Sequence, residues 1–201
     1  MTSRRIFLAA SAIAAASTGV PRSGLAASAD FDLPAFEARM RLPFRHRQAF
    51  ASALVADGAV LGFMSNSLNA YENGFGEGPG TLHAAAVFYH NGVALALDDQ
   101  AWRTFAIADV LRRSGDRVTA SAADGNPFVR APRGWALDDL QRRHASFFVC
   151  HNALGDLARR AGTSLDVLRD RLLPGMMLVP AGVAAINALQ EERFTLFVAT
   201  A

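Results

Sequence analysis

The chain has 201 residues, with 20 basic residues that are all arginine, 18 acidic residues, five histidines and one cysteine. The absence of lysine excludes Schiff-base and P-loop lysine chemistry, and a single cysteine excludes an internal disulfide. With 51% apolar residues the chain can bury a sizeable core in one domain.

The N-terminus reads as an address. "SRRIFLAA" places Arg4 and Arg5 ahead of a modest apolar stretch, and Ala27-Ser28-Ala29 supplies a small-residue cleavage site. Residues 1–29 are therefore expected to be a twin-arginine signal peptide, with export to a bacterial periplasm and a mature chain from Asp30. The apolar stretch is short for a membrane span, so no stable insertion is expected after its removal. Arg4, Arg5 and Arg22 precede residue 30 and no acid does, which leaves 17 basic against 18 acidic side chains, a net charge of −1. Without a sustained basic run, nucleic acid is not an expected partner.

In chain order, "HRQAFAS" (46–52) predicts a first strand. Over 57–76, Val60, Leu61, Met64, Leu68, Tyr71 and Phe75 recur at helical spacing, with Asp57 as the expected N-cap. "GFGEGPG" (74–80) lacks a following Lys-Ser or Lys-Thr and reads as a helix stop. "LHAAAVFYH" (82–90) is almost continuously apolar, the mark of a strand buried on both faces. A turn and one or two helices follow over 91–113. The polar, Gly/Pro-rich stretch 114–134 is a long loop insertion, either a surface excursion or a lid.

A helix is expected over 135–144, a third strand over 145–150 and a helix over 152–162 with Gly162 as its stop. Ser164 caps a short helix through Leu172. Then come a turn and strand over 174–180, a helix over 180–193 opening on Pro180, and a fifth strand over 194–200. Strands alternating with helices predict a three-layer α/β/α fold with a mostly parallel five-stranded sheet, in a single domain over 30–201.

The last third, with "FFVCHNAL" (147–154) and "LLPGMMLVPAGVAAINALQEERFTLF" (172–197), resembles the DsrE/DsrF-like family of sulfur-relay proteins. "HNGVALAL" (90–97) resembles the family's second strand-to-helix turn, and 46–52 its first strand in exported members. The resemblance implies a DsrE-like parallel sheet and assembly into a homotrimer or hexamer. It also implies that the cysteine at the position of Cys150 carries persulfide sulfur, received from or passed to a partner protein or a small sulfur compound.

Read from the residues alone, Cys150 ends a strand and precedes a helix. In open parallel sheets, ligands bind beyond the carboxyl ends of the strands, and a helix N-terminus favours thiolate over thiol. The competing reading is a small buried structural residue. His151 is the candidate base beside it. His90, Asn91 and Asn152 are candidate ligand-binding residues, Asn152 also as the cap of the following helix; His46 and Ser52 rank behind them. No cofactor is expected. No metal is expected either, because the histidines show neither HxH nor HExxH spacing.

Two functions follow. The first is a periplasmic sulfur carrier acting through Cys150. The alternative is a non-catalytic ligand-binding or oligomeric assembly module with a buried Cys150. A redox-sensing subunit ranks third.

Overall fold

The computed structural model describes residues 31–119, 122, 124–130 and 134–200. The signal-peptide reading of 1–29 lies outside the described residues. Five strands form one sheet: β1 (His46–Ser52), β2 (Leu82–Phe88), β3 (Ser146–Cys150), β4 (Met176–Val179) and β5 (Thr195–Ala199). Their spatial order is β4-β3-β2-β1-β5, and every pairing is parallel.

Eight α-helices accompany them among the described residues: α1 (Leu33–Met40), α2 (Ala59–Asn69), α3 (Asp99–Thr104), α4 (Ile107–Arg113), α5 (Leu137–Arg142), α6 (His151–Arg160), α7 (Leu165–Arg169) and α8 (Gly182–Glu191). One face of the sheet is covered by α2 to α7. Phe50, Phe88, Phe147, Leu61, Met64, Trp102, Leu111 and Leu157 form the core there. The other face is covered by α1 and α8, over Ala49, Ala85, Val87 and Phe148. The fold is thus a three-layer α/β/α sandwich with an entirely parallel sheet.

The two-sided burial follows from connection handedness. From β1 to β4 each strand lies beside its predecessor in one direction, so right-handed crossovers place every connecting helix on one face. After β4 the chain reverses and returns past β1 to the far edge, so right-handedness puts α8 on the opposite face. The strands obey their composition. β2 and β3 are buried at every residue, and each large side chain so buried contributes about 1.5–3 kcal/mol.

Several boundaries differ from expectation. The 57–76 helix starts at Ala59, after a turn in which Ala56 and Asp57 both have positive φ, so Asp57 is no N-cap. The helix ends in a π-turn over Ala70–Gly74. Pro180 lies just outside α8, whose N-cap is Ala181. Gly162 does end α6 with φ +70°, and Ser164 does cap α7, its Oγ accepting from the Val167 N–H at 3.3 Å. Helix α1 had no sequence expectation, although its signal is present: Asp32 caps it by accepting from the Ala35 N–H at 2.9 Å, and Pro34 occupies its first turn.

The described part of 114–134 is anchored. Asp116 is buried and its carboxylate accepts from the Val55 N–H at 2.8 Å and the Ala56 N–H at 3.0 Å, gripping the turn after β1. Asn126 donates to the carbonyls of Leu95 and Leu97, and Phe128 is buried beside Trp102. Asp116→Asn retains shape but can accept only one of the two N–H groups, leaving the other facing an amide NH2. We expect a loss of about 2–3 kcal/mol in urea unfolding, without change in the sheet's circular dichroism. An unchanged midpoint would show that the clasp is not stabilising.

Candidate functional site

The strand order positions the site. β3 is followed by α6 on one face, and its neighbour β4 is followed by α8 on the other. The two chains diverge at the carboxyl edge between β3 and β4, and such a switch point leaves a crevice. A cavity of about 330 Å³ lies there. Its walls come from the ends of three adjacent strands: Tyr89 and His90 after β2; Cys150, Asn152, Ala153 and Asp156 from β3 and α6; and Ala181, Gly182 and Val183 from β4 and α8.

Cys150 is the last residue of β3 and the N-cap of α6, with extended φ/ψ of −69° and 114°. The strand thus delivers the side chain to the cavity at the point where the helix begins. The residue is only 6% exposed, so the thiol sits at the cavity floor. It is the sole cysteine and is unpaired. The cavity also meets the first turn of α8.

Gly182 makes the approach of α8 possible. A Cβ built there would fall 2.8 Å from the Tyr89 Cβ and 3.3 Å from the Cys150 Cβ. Any larger residue would displace either the tyrosine or the cysteine. Gly182 and Tyr89 were missed in the sequence, where "PAG" reads simply as a helix start.

The predicted site residues separate into two groups. His90 and Asn152 are exposed and line the cavity with Cys150. His90 holds φ +49°, which turns the chain sharply out of β2. Asn152 is not the helix cap, because α6 already starts at His151 and Cys150 occupies the cap position. His151 is half-buried in the first turn of α6 and is not among the cavity-lining residues. Adjacent helical residues point about 100° apart, which explains why chain adjacency to Cys150 does not become a shared site.

Asn91 is also turned away. It is fully buried, and its Oδ1 accepts from Arg160 Nη2 at 2.9 Å, while its amide donates to Ser114 Oγ at 3.4 Å. Arg160 donates further to Ser114 Oγ at 3.0 Å and to Asp156 at 3.1 Å. Asn91 therefore ties the turn after β2 to α4 and α6, a structural role. Asp156 brings a carboxylate to the rim, but Arg159 at 2.8 Å and Arg160 neutralise it.

A larger crevice, of about 430 Å³, lies between α3 and residues 126–130. Several of its polar groups are engaged in bonds within the protein: Asp99 accepts from the Asn126 N–H at 2.9 Å, and Arg103 donates to the Asp124 carbonyl at 3.0 Å. Among the described residues no group of three His, Cys, Asp or Glu side chains is arranged to hold a metal ion, and no helix is long and apolar enough to cross a membrane.

Fold and cavity together define an α/β/α protein with a lone thiol at the switch-point crevice of a parallel sheet. No family model matches the chain, and no curated protein is similar to it. Among solved structures, it is similar to MTH1491 of Methanobacterium thermoautotrophicum, described as a protein of unknown function. That match has 19% identity over 77% of this chain and 99% of that one, with a TM-score of 0.45.

Proposed function

We propose that this protein is an exported sulfur carrier of DsrE-like type, in which Cys150 takes up sulfane sulfur. The observation that supports this is the placement of the only thiol on the floor of a small cavity at the carboxyl edge of β3, beside the N-terminal turn of α6. A helix N-terminus stabilises anionic sulfur, both thiolate and persulfide.

The reaction is a transfer between thiols. The Cys150 thiolate attacks the outer sulfur of a persulfide donor, R–S–SH. A Cys150 S–S bond forms, the donor's S–S bond breaks, and the donor leaves as its thiolate. No external oxidant or reductant is consumed. The reverse step onto an acceptor thiol unloads the carrier. His90 and Asn152 line the cavity mouth and are the groups placed to contact an incoming ligand. His151 is given no part. The resemblance adds a periplasmic location, self-association as trimer or hexamer, and a protein or small-molecule sulfur donor.

Incubating the purified protein with polysulfide and measuring the intact mass tests the reading. We expect a gain of single sulfur atoms, lost on adding dithiothreitol and absent in Cys150→Ser. A wild-type chain that gains no sulfur sinks the proposal.

The low exposure of Cys150 favours a second reading, a ligand-binding module with an inert cysteine. The rate of labelling by iodoacetamide separates the two. A thiol that reacts only after unfolding supports the second reading, and rapid labelling in the native state supports the first.

A further inference from the structure

We propose that β5 pairs antiparallel with β5 of a second copy of this chain, about a twofold axis through Phe197, joining two five-stranded sheets into one.

β5 is an edge strand, hydrogen-bonded only to β1 within the sheet. An unpaired edge presents a row of free N–H and C=O groups to any strand that meets it. Proteins usually protect such edges with lysine, proline, a bulge or an inward charge. The sequence Thr195-Leu-Phe-Val-Ala199 has none of the charged or proline devices, and its pairing with β1 runs without interruption from Thr195 to Ala199.

The side chains point to the same conclusion. Leu196, Phe197 and Val198 are 37%, 37% and 50% exposed, three consecutive large apolar residues. The other exposed large apolar side chains among the described residues, Leu33, Phe75, Val167 and Val183, do not run consecutively. Contiguous exposure marks an interaction surface where scattered exposure does not. Phe197 is also held in place by Phe50 and Phe63, at centroid separations of 5.8 and 5.1 Å. It therefore offers a fixed aromatic face.

The occupant is a second copy because the strand is complementary to itself. A twofold axis normal to the sheet keeps each layer on its own side, so residues of like parity pair. Centred on Phe197, it sets Phe197 against Phe197 on the α2 face. It sets Leu196 against Val198 on the α8 face, and Thr195 against Ala199. Aromatic–aromatic and aliphatic cross-strand pairs are the favourable ones, and no like charges meet. A five-residue seam is small, so the dimer is of the weak, concentration-dependent kind. The β5 seam does not involve Cys150.

Sedimentation of the purified full chain over a range of concentrations tests it. We expect a concentration-dependent twofold association, of single chains or of the trimers proposed above into hexamers, that Phe197→Glu weakens roughly tenfold or more, and that Val198→Lys, an edge-protecting change, weakens as well. In a Cys150→Ser background, Phe197→Cys should form a disulfide-linked dimer on mild oxidation. Leu196→Cys should not, since that residue lies diagonal to its own copy, at about 7–8 Å or beyond. A strictly monomeric wild type overturns the proposal. So does an oligomer indifferent to Val198→Lys, or cross-linking at 196 in place of 197.

Discussion

Gly92→Ala is expected to destabilise the protein by about 3 kcal/mol or more, lowering the melting temperature by roughly 6–12 °C. The turn after β2 lies directly on the end of β1. The Tyr89 N–H donates to the Ser52 carbonyl, and the Gly92 N–H to the Ala53 carbonyl, each at 3.0 Å. A Cβ at position 92 would fall 2.4 Å from the Ser52 carbonyl oxygen, a backbone atom with no rotamer to yield. Either the turn lifts away and loses those bonds, or β1 shifts against β2. Because the same turn presents Tyr89 and His90 to the cavity, a lifted turn would also change labelling of Cys150. Differential scanning calorimetry measures the first effect. A variant melting within a degree or two of the wild type would show that the contact relaxes without cost.

Acid is expected to weaken the fold through His83. This residue is the second of β2, at the end of the sheet away from the cavity, and is completely buried. Its Nε2 meets Ser146 Oγ at 2.8 Å, while its Nδ1 has no hydrogen-bond partner. Phe44 stacks on the ring at 4.9 Å, and Phe194 meets it edge-on at 5.1 Å. Burial, and then the positive charges of Arg47 on β1 and Arg39 on α1, push its pKa down to about 4 from the ordinary 6.5.

The direction of the effect follows from which state binds the proton. Between pH 6.5 and about 4 the unfolded chain holds a proton on this histidine that the folded chain refuses. Stability is therefore full above 6.5, falls as the pH drops through this window, and loses about 3 kcal/mol by its lower end. Urea midpoints measured across the window should show the decline. His83→Gln, which cannot titrate, should flatten it even while lowering stability at neutral pH. An equal slope in the variant would assign the acid sensitivity to other groups.

The sequence was most informative where composition alone decides structure. β2 reads as a buried strand because nothing between Leu82 and Phe88 except His83 is polar, and burial on both faces tolerates that pattern. The alternation of strand and helix was enough for a three-layer sandwich. Strand order was not legible: no residue in "TLFVA" announces that β5 crosses to the far side of β1, and that crossing is what puts the crevice between β3 and β4.

The candidate site was legible in part for the same reason. Cys150 at a strand end and His90 at another were visible as local features, and the sheet brings both to one cavity. Asn91 was not separable from His90 by sequence. Its partner Arg160 lies on a different helix far along the chain, and only the folded packing joins them. Gly182 matters for what it omits, which a pattern of side chains cannot display.

The place of β1 in the sheet has a consequence for how the chain acquires its structure. β1 is flanked on one side by β2 and on the other by β5, with Gln48 paired to Thr195. During synthesis β1, β2 and β3 are made well before residues 195–199. Until those residues emerge, the nascent chain has β1 as a bare outer strand, with Ala49, Phe50 and Ala51 in line along it. Such late closure between sequence-distant strands is slow and leaves intermediates prone to association. The chain therefore completes its sheet after translation of β5, and a chaperone that shields β1 has its window before that point.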